Sequence, residues 1–211
     1  MQRYETFWQT FLGVIVRPLA TLQRFQEDKR AAQKGWLSLF LVLFVYTLIL
    51  AIFIRRDYPA AAPSILPIAV EDLYRYQVWY QGPLFIAATL ALVGVLQLFT
   101  EVKGQTVGFP VVFSRVVFAT TVPFAVTTMA VELVIAMLVL FKVFQPQEIL
   151  GWLVGDGALF ANLYQFAGLL RLVVLLVITA KLSAGVKWWP AIGLGMVLAI
   201  IYGIPIGLFV R

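Results

Sequence analysis

Long, unbroken apolar runs dominate this 211-residue chain, separated by short stretches where charges, prolines and aromatics gather. A helix rising about 1.5 Å per residue needs roughly 20 apolar residues to cross a hydrocarbon core about 30 Å thick. Five segments reach or approach that length. Residues 36–54 carry no charge and are closed by Arg55 and Arg56 as interfacial anchors. Residues 83–99 are also charge-free, with Pro83 expected in the first turn, where its missing N–H is harmless. Residues 116–141 are long enough to tilt, and hold Pro123 as a predicted kink and the acid Glu132. Residues 157–180 are interrupted only by Arg171, and after a short turn over 181–187 the run 188–210 opens on Trp188, Trp189 and Pro190. A transmembrane β-barrel would instead need alternating strands of about ten residues. The pattern therefore predicts an all-α, polytopic transmembrane bundle of five spans.

The flanking segments add surface elements. Phe7, Phe11, Val14, Leu22 and Phe25 recur at helical spacing among Gln, Arg and Glu, and Pro18 divides the stretch into two predicted amphipathic interfacial helices. Their apolar stripe can lie on a leaflet, where each basic residue adds about 1 kcal/mol toward anionic lipid, or it can pack on the ends of the bundle. This gives two regions, an amphipathic cytoplasmic segment 1–35 and a membrane domain 36–211. Between the first two spans, Pro59, Pro63 and Pro67 break the chain. Tyr74, Tyr76, Trp79 and Tyr80 then crowd together as an interfacial aromatic belt, with ligand stacking as the alternative.

Composition and charge sharpen this picture. The chain is 62% apolar and 12% charged, more hydrocarbon than a soluble domain of this length can cover. It contains neither cysteine nor histidine, which removes disulfides, thiolate metal sites and the commonest general base. No metal and no cofactor are expected, and the chain is read as non-enzymatic. The first apolar run begins only at Trp36, behind Glu5, Glu27 and Asp28, so a cleaved signal peptide is not expected. With the N-terminus in the cytoplasm, that side holds ten basic residues: Arg3, Arg17, Arg24, Lys29, Arg30, Lys34, Lys103, Arg115, Lys181 and Lys187. The other side holds five: Arg55, Arg56, Arg75, Lys142 and Arg211. Retention of Lys and Arg in cytoplasmic loops then predicts an internal N-terminus and an external C-terminus. The net charge of +6 follows from the same rule and calls for no nucleic-acid partner.

Two features inside the spans are candidate sites. Glu132 and Arg171 lie in consecutive antiparallel spans, at depths of roughly 14 Å and 21 Å from their connecting loop. On a regular helix Thr121, Ala125, Thr128 and Ala136 share a face with Glu132, as Ala161, Tyr164 and Gly168 do with Arg171. An intramembrane ion pair is the expectation; a protonated Glu132, or an Arg171 that snorkels to the headgroups, is the alternative. In the last span, Ala191, Gly195, Ala199, Gly203 and Gly207 recur every fourth residue as a stripe of small side chains, suited to close packing within the chain or across a dimer.

The second span begins Trp79-Tyr80-Gln81-Gly82-Pro83-Leu84-Phe85-Ile86. This resembles the Asp-Leu-Tyr-Gly-Pro-Leu signature that opens a span in the Yip-domain family, the Ypt-interacting five-span membrane proteins. Gly82, Pro83 and Leu84 match in place, Tyr80 is displaced by Gln81, and the Asp is missing. Lys103-Gly104, Phe109, the run Arg115 to Ala119 with Pro123, and Arg17-Pro18 with Phe25 are similar to the corresponding segments of prokaryotic members. The resemblance implies five spans with a cytoplasmic N-terminus. The long polar N-terminal region of the eukaryotic members, which bind prenylated Rab-type GTPases in vesicle traffic, is lacking, and this points to a prokaryotic type in an inner membrane.

Three functions from different classes follow. A non-enzymatic organiser would shape the bilayer or bind membrane partners, including a second copy of the chain. A small transporter or channel would use Glu132 and Arg171, although no inverted repeat is visible. An intramembrane enzyme lacks His, Cys and paired acids.

Overall fold

The computed structural model of the chain describes residues 5–58 and 72–209, with side chains as far as Ile206. Pro59, Pro63, Pro67, Arg3 and Arg211 lie outside the described residues, as do the surroundings of Gly207. The elements run α1 (Phe7–Val16), α2 (Pro18–Arg24), α3 (Ala31–Arg55), α4 (Leu73–Val102) and α5 (Phe109–Phe124), then a π-helical turn (Ala125–Met129). They continue with α6 (Ala130–Leu140), α7 (Pro146–Val154), α8 (Ala158–Ala184) and α9 (Trp188–Phe209), with no strand among the described residues. Five helical segments are long and apolar enough to cross a membrane: Ala31–Arg55, Leu73–Val102, Phe109–Leu140, Ala158–Ala184 and Trp188–Ile206. The expected helical bundle of five spans is therefore present, and the chain is an integral membrane protein.

Helix α5 is the axis of the bundle. Every residue from 112 to 123 is buried, and α5 touches α3, α4 and α8. Around it, α3 packs on α4, α4 on α9 and α9 on α8, which leaves the ring open between α8 and α3. At the end where the N-terminus lies, hereafter the near end, the hairpin α1–α2 closes this gap, α1 against α5 and α2 against α8. Val14, Leu22 and Phe25 join one continuous core with Leu39, Leu92, Phe118 and Leu176. Of the two readings of the N-terminal stripe, packing on the bundle is the one realised. Helix α3 starts at Ala31, and the hairpin shares its core.

Three local expectations are corrected. Helix α4 begins ten residues before Pro83, so that proline sits inside the helix, on an exposed face, rather than in the first turn. Its ring removes the N–H that the carbonyl of Trp79, itself exposed, would otherwise have received. The predicted kink at Pro123 takes the form of the π turn that follows directly, a usual response when a proline breaks the helical ladder. Arg115 and Lys34, counted as loop charges, are both buried. Lys34 meets Asp28 at 2.6 Å and donates to Thr10 at 3.2 Å, which ties the foot of α3 to α1.

Helix α8 runs into the first half of the predicted turn, to Ala184, and stops at Gly185, whose φ of +63° suits glycine. A Cβ there would also strike Gln105 at 2.7 Å. The following helix α9 returns antiparallel and lies closely along α8.

Candidate functional sites within the bundle

Glu132 and Arg171 do not meet. The Arg171 guanidinium donates from Nη2 to the Ile15 carbonyl at 2.7 Å, and no ion pair joins it to Glu132 among the described residues. The face assigned to α8 was right: Gly168 abuts Thr127, and the Tyr164 hydroxyl donates to the Val126 carbonyl at 2.6 Å. The other half fails: Thr121, on the face shared with Glu132, meets Ser38 of α3 at 2.8 Å, and Glu132 and Ala136 likewise lie toward α3, on which α6 packs. Within the π turn, Val126 and Thr127 meet α8. Arg171, left without an acid, uses the carbonyl at the end of α1.

A second arginine completes the anchoring of the hairpin. Arg115 is fully buried; its Nε donates to the Leu22 carbonyl at 2.9 Å, and its Nη1 to the Leu182 carbonyl at 3.0 Å and the Ser183 hydroxyl at 3.3 Å. Leu22 and Leu182 belong to the last turns of α2 and α8, where carbonyls lack helical partners and the helix dipole is negative. That environment lets a cation be buried without an acid. Arg115 from α5 and Arg171 from α8 thus hold the two arms of the hairpin from opposite sides. Its outward surface is apolar, with Trp8, Leu12, Val16 and Leu19 exposed. At its open end Arg24 pairs with Glu5.

The far half of the bundle holds a different polar cluster. Tyr46 and Thr47 of α3, Gln77 and Gln81 of α4, and Glu132 of α6 come together there. Gln77 donates to the Tyr46 hydroxyl at 3.3 Å, Gln81 donates to Thr47 Oγ1 at 3.1 Å, and Thr47 donates to the Leu43 carbonyl at 2.8 Å. Glu132 faces the Tyr46 hydroxyl, and Tyr58 and Tyr74 feel its charge. Tyr58, beyond the end of α3, has its pKa pushed up to about 12 by burial first and by Glu132 second, so it stays a protonated donor. Tyr74 packs on Phe53 with ring centroids 5.4 Å apart, whereas Tyr76 and Trp79 face outward as a belt should. The aromatic group is thus divided between core and lipid surface.

Sequence reasoning missed Gln77 and Gln81 because the second span was started at Pro83. Their spacing was a usable signal: Leu73, Gln77, Gln81, Phe85 and Ala88 follow one another at helical intervals on the buried face of α4. Of the motif positions, Gly82 meets nothing within 4 Å, and Tyr80, Pro83 and Leu84 lie on the same turn of α4. In the small-residue stripe, Ala191, Gly195 and Ala199 are buried, and a Cβ on Gly195 would lie 2.5 Å from Val177. Gly203 faces open space. The first half of the stripe is therefore a seam within the chain, against α8.

No family model matches the chain, nor does any curated protein or any solved structure.

Proposed function

We propose that this chain is a non-enzymatic membrane organiser, acting on the bilayer or on membrane partners through its N-terminal hairpin. The observation that carries the reading is the hairpin itself. Arg115, fully buried, and Arg171, half-buried, clamp α1–α2 into the gap between α3 and α8, while Trp8, Leu12 and Val16, four residues apart, and Leu19 point away from the protein. Such a face belongs in the acyl–headgroup boundary, and it widens the protein in one leaflet. The resemblance to the Yip-domain family supports the same class of role, and so does the absence of His and Cys from the sequence. The basic excess argues for the hairpin on the cytoplasmic side, and the resemblance for a prokaryotic inner membrane.

Reconstitution into liposomes tests this. The wild-type chain should narrow or tubulate vesicles seen by electron cryomicroscopy. A Trp8→Ser/Leu12→Ser/Val16→Ser variant, folded to the same helicity, should leave them unchanged. Sustained ion or solute flux from vesicles of unaltered shape would replace the organiser by a transporter.

A further inference from the structure

Three side-chain atoms of the far cluster are buried without a hydrogen-bond partner: Gln77 Oε1, Gln81 Oε1 and Glu132 Oε2. All three are acceptors. The amide and threonine donors beside them are committed, Gln77 Nε2 to Tyr46, Gln81 Nε2 to Thr47 and Thr47 Oγ1 to Leu43, and the Tyr46 hydroxyl faces Glu132. Gln77 and Gln81 are 0% and 1% exposed, and Tyr46 is 1% exposed, so bulk water does not make up the deficit. Buried acceptors left unpaired are costly, and in a bilayer no solvent relieves them. The site thus lacks something positive, or something that donates.

We propose that Glu132, Gln77 and Gln81 bind a monovalent alkali cation between α3, α4 and α6. Carboxylate and amide oxygens are hard ligands of the kind such ions take. Charge selects the valence: one carboxylate and one monovalent ion sum to zero, as a low-dielectric interior demands, whereas a divalent ion would leave a buried positive charge. Among the described residues no second acid acts on Glu132, whose surroundings act through burial and the Tyr46 hydroxyl, so none is at hand to balance a divalent ion. Tyr46 orients the arrangement, since its hydroxyl receives Gln77 and faces Glu132. This inference stands apart from the organiser reading, because an ion can be held without being transported.

The test uses the purified full chain in detergent at constant ionic strength, with choline chloride replaced stepwise by sodium, potassium or lithium chloride. Calorimetry and thermal unfolding are read together. The expected result is saturable binding of one alkali ion per chain and a rise in melting temperature, with magnesium giving neither. Glu132→Gln should abolish the binding, and Gln81→Leu should weaken it at least tenfold. If Glu132→Gln fails to fold, the wild-type titration and Gln81→Leu decide the matter. The proposal is overturned if no alkali ion binds saturably to the wild type, which would leave a proton on Glu132 or an internal water as the occupant. It is equally overturned if magnesium binds as well, or if both variants bind as the wild type does.

Discussion

Substituting Gly195 by alanine probes the closest approach between two spans. A Cβ built on Gly195 lies 2.5 Å from Val177 Cγ2 and 2.7 Å from the Val177 Cα and backbone N. Carbon atoms rest about 3.5–4.0 Å apart, so α9 would have to retreat from α8 by about 1 Å. Val177 could turn its side chain, but its backbone belongs to the middle of a long helix and cannot yield alone. Overpacking of this kind costs about 1–3 kcal/mol, and retreat also loosens the contacts of Ala191 and Ala199 above and below. Against this, replacing a mid-helix glycine by alanine returns about 0.5–1 kcal/mol of helix propensity. Gly203→Ala is the matched control, because it carries the same propensity gain and meets nothing within 4 Å. The two variants should therefore differ by about 1–3 kcal/mol, Gly195→Ala melting below the wild type and Gly203→Ala at or above it. Unfolding in detergent followed by intrinsic tryptophan fluorescence at one scan rate measures this, since the chain has six tryptophans. A Gly195→Ala protein that melts with the wild type would refute the close α8–α9 seam. Gly203→Leu should leave the monomer intact.

Other outcomes follow from the same geometry. Arg115→Gln removes the bonds to Leu22, Leu182 and Ser183 and should cost about 3 kcal/mol, seen as faster hydrogen exchange across α1 and α2; unchanged exchange would remove the clamp. Because Glu132 and Arg171 face different helices, a cycle of Glu132→Gln, Arg171→Gln and the double variant should be additive within about 0.5 kcal/mol in thermal stability. A coupling well beyond that would restore the ion pair. With the N-terminus internal, cysteines placed singly at Lys29 and Gln147 should behave oppositely toward an impermeant maleimide on intact cells, only the second being labelled. The reverse pattern would invert the topology.

Much of the architecture could be read from pattern alone because membrane spans obey a constraint local in sequence. A stretch such as 36–54 must be long, apolar and internally hydrogen-bonded whatever its neighbours are. The five spans, the split at Pro18 and the α8–α9 turn closed by Gly185 are all properties of short windows. The limits of α4 were less legible. Gln77 and Gln81 look like loop residues until the helix beside them is known, since their polarity is masked by Tyr46 and Thr47 of α3.

What composition, charge and periodicity determined was the solvent of the fold, the number of crossings and the exclusion of the commonest catalytic chemistry. What only the tertiary structure decided was who faces whom. Glu132 came to face Tyr46 of α3, and Arg171 of α8 the end of α1. Arg115, at first counted among the loop charges, became the buried pin of the N-terminal hairpin. Both outcomes turn on which neighbour a helix face meets, and so on the rotation of that helix about its axis, where one residue is worth about 100°. A window of sequence specifies that a helix forms far better than it specifies such a rotation, because the angle is set by the packing of every neighbour at once.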